Sequence, residues 1–162
     1  MAELTNLETK LGEVIGLAMA AQATLDRVEK LNDDRALAKQ LKTMRSEAAL
    51  AEKQGTALAG TFSGKKAKIL TEARSVKKKG GEMMKTYLDR SSDALDGFEF
   101  MTMAEAGEVG HWQVLERMGR DARHAGVRDL VKTHLPIQKR HLKEAMAASM
   151  TLAAKEDPNA EA

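Results

Sequence analysis

The sequence predicts an all-α protein, a bundle of four long helices with one long connection in the middle of the chain. Apolar residues make up 43% of the 162 residues and aromatic residues only 3%, so the apolar content lies mainly in Ala, Leu, Met and Val, and helix-favouring residues dominate. Apolar side chains recur every three or four positions over four long stretches, which is the period of an amphipathic helix. No stretch approaches the ~18 apolar residues of a membrane span.

The length is that of one domain, which we expect over residues 1–155, with a frayed tail at 156–162. The chain has no cysteine, which excludes disulfides, thiolate metal sites and cysteine nucleophiles. The N-terminus carries acids where a signal peptide needs positive charge and an apolar segment, so we expect a soluble cytoplasmic protein with no membrane partner. No nucleophile-and-base arrangement, phosphate-binding glycine loop or dinucleotide fingerprint is present, which argues against a hydrolase.

The first predicted helix covers about residues 5–31. Thr5 and Glu8 have the spacing of a capping box, in which each side chain accepts a hydrogen bond from the other residue's backbone N–H. An apolar stripe at helical spacing follows, from Leu11 to Val28. These signals predict a helix with one buried face.

The second predicted helix extends to about residue 59. Asn32, Asp33 and Asp34 supply a stop and a new N-cap, and a further apolar stripe follows them. Because the connection is short, we expect the two helices to be antiparallel neighbours.

A long crossing is predicted over about residues 60–91, carrying one or two short helical pieces. Gly60 and Gly64 interrupt the helical pattern at its start, and Gly80 and Gly81 interrupt it again.

The crossing is strongly basic, with Glu72 as the single acid between residues 65 and 79. Its cations are Lys65, Lys66, Lys68, Arg74, Lys77, Lys78 and Lys79. Such a run can bind phosphate backbones through counterion release. Since no aromatic residues are interleaved, it can equally be a solvated connector. Contact with nucleic acid is therefore one of the functions the sequence leaves open.

The third long helix is predicted to begin at an N-cap among residues 91–93 and to end near Gly119. The fourth carries an apolar stripe from Val127 to Leu152, in which Met146 is expected at a packing position. Pro136 falls inside this stripe, so the helix is either kinked there or restarts with the proline in its first turn. Two tight turns flanking one long crossing form the connectivity of ferritin-like four-helix bundles.

Polar residues interrupt the apolar stripe of the third helix. Glu105 and Glu108 lie on the face that should be buried, where a carboxylate is normally paired or bound to a metal. Glu108 and His111 have the spacing at which a carboxylate and an imidazole can bind one ion. Trp112, on the same face, is most simply a core anchor. Gly107 and Gly110 weaken the helix. The usual reason is close approach by a neighbouring helix or by a ligand, and we expect the helix to be the cause.

The other helices offer fewer ligands. His134, Gln138 and His141 share one face of the fourth helix if Pro136 does not break it. Glu47 flanks the apolar stripe of the second helix. The middle of the first helix carries no acid at the height along the bundle where these candidate ligands lie.

The stretch AEAGEVGHWQVL (104–115), with LPIQKRHLKEA in the last helix, resembles the small bacterial ferritin-like proteins associated with stress, long filed as a domain of unknown function. In that family the third helix carries two glutamates three residues apart and an aromatic residue four beyond the second. Glu105, Glu108 and Trp112 match these positions. Gln138 stands where the family has a glutamate, and His141 stands where its histidine is expected.

The resemblance implies a ferritin-like bundle, often a homodimer, with a di-iron type centre. It leads to a first hypothesis, a stress-related metal-binding protein that holds iron, manganese or zinc. Its ligands would be Glu105, Glu108, His111 and His141, with Gln138, Glu47 and His134 as further candidates. The second hypothesis is a metal-free structural or interaction module. Under it, Glu108 would pair with a histidine or with Arg45.

Overall fold

The computed structural model describes residues 3–161, and this part of the chain folds into five helices without any strand. They are α1 (Asn6–Leu31), α2 (Arg35–Ala59), α3 (Lys66–Tyr87), α4 (Ala94–Asp121) and α5 (Ala125–Ala153). The all-α prediction is confirmed. No helix among these five combines the length and apolar character needed to cross a membrane. Residues 1, 2 and 162 of the predicted domain and tail lie outside the described range.

The predicted caps begin the helices as expected. Thr5 and Glu8 form the capping box of α1, each side chain accepting a hydrogen bond from the other's backbone N–H. The carboxylate of Asp34 accepts from two N–H groups in the first turn of α2. Asp93 and Asp96 form a second capping box at the start of α4. Each cap satisfies N–H groups that have no partner inside the helix.

The predicted break at Gly80 and Gly81 is wrong, since α3 runs through both as one helix of 22 residues. Contact with α1 explains the first glycine, because a Cβ at Gly80 would lie 2.8 Å from the Cβ of Ala20. The glycine thus permits close approach between helices and does not end α3. The crossing is one long helix and not the short pieces that the sequence predicts.

The same helix pair touches at two further glycines of α1. A Cβ at Gly12 would lie 2.8 Å from the carbonyl oxygen of Ile69, and a Cβ at Gly16 would lie 2.3 Å from that of Ala73. Residue numbers rise together on both helices along this contact. Therefore α3 lies parallel to α1 and covers its outer side.

Contacts between the other helices fix their directions. Glu13 of α1 contacts His111 of α4, while Val28 of α1 lies beside Gly97. Therefore α4 is antiparallel to α1. α2 and α5 are likewise antiparallel, since Asp34 pairs with Lys155 and Glu47 with Arg140. α1 and α2 are antiparallel as well, since Arg45 pairs with Asp26 while Gly55 lies against Ile15. As a result α2 and α4 point the same way, and α3 returns the chain along the bundle between them.

α5 is continuous across Pro136, so the predicted restart of the helix at this proline is wrong. The proline lies on an exposed face, so the carbonyl that loses its helical partner can bond to water.

The core consists of two apolar clusters. Leu11, Trp112 and Leu115 belong to one, while Val28 and Phe98 belong to the other. Trp112 is 2% exposed, as expected for a core anchor. Along α4 and α5 the residues between the two clusters include buried polar side chains, and these form the candidate site. The predicted packing role of Met146 is wrong, because this side chain is 52% exposed.

Candidate functional site

Four of the seven predicted ligands lie together between the two apolar clusters. Glu105 on α4 and Gln138 and His141 on α5 are all buried. The amide of Gln138 donates to Oε2 of Glu105, and Nδ1 of His141 lies 3.7 Å from that same oxygen. On the other side of the imidazole, Nε2 lies 2.6 Å from Oε2 of Glu47 on α2. The site therefore joins three helices.

Arg140 supplies a cation that the sequence analysis missed. Its Nη2 lies 2.5 Å from Oε1 of Glu47, and its Nη1 lies 3.2 Å from a carboxylate oxygen of Glu144. The available signal is the i, i+4 spacing of Arg140 and Glu144, together with the need of a partly buried Glu47 for a counter-charge. Glu47, Glu105, Gln138, Arg140 and His141 are called the core polar network below.

Burial and hydrogen bonding set the charges within this network. Burial raises the pKa of Glu105 to about 8, although the hydrogen bond from Gln138 favours its ionised form. Burial also opposes ionisation of Glu47, but hydrogen bonds from His141 and Arg140 outweigh it and lower the pKa of that carboxyl. Burial lowers the pKa of His141. At neutral pH a neutral His141 therefore donates Nε2–H to an ionised Glu47, while Glu105 is protonated.

Glu108 lies outside the core polar network. It is 4% exposed, and its side chain makes no hydrogen bond or ion pair with any residue from 3 to 161. Burial, followed by the charge of Glu105, raises its pKa well above the ordinary value for a glutamate. The predicted pairing with a histidine or with Arg45 is wrong, since Arg45 pairs with Asp26 at 2.5 Å.

His111 and His134 are both separate from the network. Nδ1 of His111 lies 3.0 Å from a carboxylate oxygen of Glu13 at the surface of the bundle. Nε2 of His134 lies 2.7 Å from Oε1 of Gln54, and its ring stacks on Trp112 with 5.5 Å between centroids. The structure therefore brings neither ring to Glu105.

The donors of the network do not converge as a metal ion requires. Glu47 and Glu105 contact different nitrogens of the His141 ring, so the two carboxylates lie on opposite sides of it. Within residues 3–161, no three His, Cys, Asp or Glu side chains are grouped to hold an ion. Arg140 already places a positive charge on Glu47. In this arrangement the residues do not fit a resident metal, and the ligand set remains a prediction for metal analysis to check.

The prediction that close helix packing explains Gly107 and Gly110 is wrong. A Cβ added at either position would meet nothing within 4 Å. Gly107 instead lines a pocket between α1, α3 and α4 that also includes Glu108 and His111. Both glycines therefore border open space and are not in contact with another helix.

The chain matches no protein-family model, no curated protein and no solved structure. The family resemblance thus rests on the residues of α4 and α5 that carry it, and the function it implies remains an expectation.

Proposed function

We propose that this protein is a ferritin-like bundle that works without a resident metal, as a structural or binding module. The directions of the helices support the architecture. α1 and α2 form one antiparallel pair and α4 and α5 another, while α2 and α4 are parallel. One long crossing between parallel second and third bundle helices is the ferritin-like connectivity. Here α3 makes that crossing a fifth helix packed on α1.

The observation that carries the metal-free proposal is the pairing of Glu47 with Arg140 and His141. A partly buried carboxylate is stabilised by a cation or by hydrogen-bond donors, and in many bundles a metal ion provides the positive charge. In this chain a guanidinium provides it. Every fully buried side-chain nitrogen or oxygen in the described part of the chain has a hydrogen-bond partner. This supports a network that needs no added ion.

Metal analysis of protein purified without chelators tests this proposal. We expect far less than one ion of iron, manganese or zinc per chain, and the same Tm with added metal or with EDTA. A tightly bound ion at a thousandfold excess over its Kd would add about 4 kcal/mol of stability and shift Tm by several degrees. One ion per chain together with such a shift would overturn the proposal.

Two arginine variants form a matched pair for the same question. Arg140→Gln leaves Glu47 with His141 alone, and we expect it to lower the free energy of unfolding by about 1 kcal/mol, because the ion pair is only partly buried. Arg117→Gln removes a more exposed pair with Asp121 and should change stability by less than half as much. Equal effects would show that Arg140 has no special role.

Metal binding is the second candidate, and one observation favours it. Glu47, His141 and Glu105 follow one another across α2, α5 and α4 with 2.6 and 3.7 Å between their polar atoms. Such a site would hold iron, manganese or zinc, and its function would be the stress-related one that the resemblance implies. Under this hypothesis Glu47→Gln lowers both metal content and Tm, whereas a metal-free network shows only the second effect.

Nucleic-acid contact and dimerisation remain predictions of lower rank. Lys77, Lys78 and Lys79 are exposed on the outer face of α3, where a phosphate backbone has access to them. A mobility-shift assay that does not respond to reversal of these three charges would exclude the contact. Light scattering would determine whether the chain forms the homodimer that the resemblance implies.

A further inference from the structure

A pocket of about 220 Å³ lies between α1, α3 and α4. Its walls are mostly apolar and include Ala20 and Ala21 of α1, Met83 of α3, and Phe100 and Met103 of α4. Met83 and Met103 are 50% and 39% exposed, so the pocket opens to solvent beside them. A cavity of about 150 Å³ can hold benzene, and this pocket is large enough for one ring with a short chain.

Gly107 keeps this space open. A glycine in a helix interior costs about 1 kcal/mol relative to alanine, and at Gly107 no packing contact requires it. Because Gly107 lines the pocket, any larger side chain there would occupy part of the volume. A glycine at this position allows a ligand to approach the helix backbone closely.

Two polar side chains in the pocket lack a partner. Glu108 and Thr24 are 4% and 6% exposed, and neither side chain is hydrogen-bonded to another residue between 3 and 161. Within residues 3–161, every polar side-chain atom that is fully sealed from solvent has a hydrogen-bond partner. The carboxyl oxygens of Glu108 and the hydroxyl of Thr24 must therefore reach the open space of the pocket.

The charges around the pocket indicate the ligand's chemistry. Glu105 lies one turn before Glu108, so two buried carboxyl groups and no cation of the described chain lie at this part of the pocket. The nearby Lys10 is already paired with Glu13 and contacts His111 at 3.3 Å. No residue of the described chain offers a cation to Glu108. An ammonium group on the ligand would stabilise the ionised form of Glu108, which would release its proton to solvent on binding.

We propose that the pocket binds a small apolar primary amine, whose ammonium group pairs with Glu108 while its apolar body packs against Phe100 and the two methionines. The hydroxyl of Thr24 offers a further hydrogen bond within the same space. This inference goes beyond the proposed function, because Glu108 is not part of the core polar network. Metal content can be measured independently, so one proposal can fail while the other stands.

Calorimetric titration with three probes of similar shape tests the proposal: phenethylamine, phenethyl alcohol and hydrocinnamate. A charge-assisted hydrogen bond is roughly twice as strong as a neutral one. We therefore expect saturable binding of the amine at one site, at least about tenfold tighter than the alcohol, and no binding of the carboxylate. Equal affinity for the amine and the alcohol, or no saturable binding of the amine, would overturn the proposal.

Three variants locate the site. Glu108→Gln keeps the shape of the side chain and should reduce amine affinity to that of the alcohol. Gly107→Leu should fill the pocket and abolish binding. Gly110→Leu is the matched control, because Gly110 also has open space around it but does not line the pocket. Its affinity should equal that of the unmodified protein, and circular dichroism would verify that all three fold. Unchanged binding in Gly107→Leu would place the amine elsewhere and refute the assignment.

Discussion

Gly107 and Gly110 stand one turn apart in α4, and neither is needed for packing. A methyl group at either position would meet nothing within 4 Å. We therefore expect Gly110→Ala and Gly107→Ala each to raise the free energy of unfolding by about 1 kcal/mol, the usual advantage of alanine over glycine inside a helix. Urea denaturation measures this difference.

Gly16→Ala is the contrasting control for these two variants. Its methyl group would lie 2.3 Å from the carbonyl oxygen of Ala73, so α3 would have to move away from α1. We expect a loss of stability of about 1–3 kcal/mol, as for overpacking elsewhere. A comparable loss at Gly110 would mean that the surroundings of α4 are more crowded than described.

Glu105 and Glu108 make stability depend on pH. Burial raises the pKa of Glu105 to about 8, from an ordinary value of 4.5, and raises that of Glu108 as well. At pH values between the ordinary pKa and the raised pKa, the folded protein keeps protons that the unfolded chain has released. By linkage, the free energy of unfolding must therefore fall as pH rises through this window.

Two buried histidines act in the opposite direction at lower pH. Burial lowers the pKa values of His134 and His141 from 6.5, so their contribution to stability rises with pH and is complete somewhat above 6.5. Among the four groups with shifted pKa values named here, only the two carboxyls still make stability depend on pH between about pH 7 and pH 8. We expect the free energy of unfolding to fall there by roughly 1.4 kcal/mol per pH unit for each carboxyl still protonated. Urea titrations across this range should show a shallower slope for Glu108→Gln, and a slope equal to that of the unmodified protein would contradict the assignment.

At the scale of the helices, local signals predicted the beginnings of α1, α2 and α4. Thr5, Asp34 and Asp93 act on N–H groups within three residues of themselves, so the sequence alone reveals them. α3 was predicted as short pieces because Gly80 locally resembles a break. The reason for that glycine is a contact with Ala20, sixty residues earlier in the chain, and a single sequence does not show such a contact.

The neighbouring glycines of α3 offer a matched test. A Cβ at Gly81 would meet nothing within 4 Å, whereas one at Gly80 would press on Ala20 at 2.8 Å. We expect Gly81→Ala to raise the free energy of unfolding by about 1 kcal/mol, and Gly80→Ala to give no gain or a loss. Thermal unfolding of the two variants checks this, and an equal gain in both would argue against the contact between α1 and α3.

The candidate site was predictable only where it follows helix periodicity. Glu105, Gln138 and His141 occupy buried positions of otherwise apolar stripes, and the structure brings them together. Arg140 was missed because it follows Lys139 on a side of α5 that reads as surface. The surroundings of Glu108 depend on where α3 lies, which the sequence did not indicate.

For the molecule as a whole, the core polar network separates two apolar clusters. Buried polar pairs are often less stabilising than apolar residues of similar volume, whereas breaking one leaves an unpaired group. We expect Gln138→Leu alone to lower the free energy of unfolding by about 1–3 kcal/mol, because Glu105 loses its donor. The double variant Glu105→Leu, Gln138→Leu should recover that loss or exceed the stability of the unmodified protein. A double-mutant cycle in urea measures the coupling, and strictly additive losses would contradict it.

The guanidinium of Arg140 on Glu47 has a consequence for how the fold responds to its chemical surroundings. A metal counter-ion is an exchangeable ligand, so a protein that needs one is destabilised by dilution, chelators or competing ions. A counter-ion carried on the chain is present at fixed stoichiometry from the moment of synthesis. Under the metal-free proposal, the fold would assemble in the same way whether transition metals are scarce or abundant.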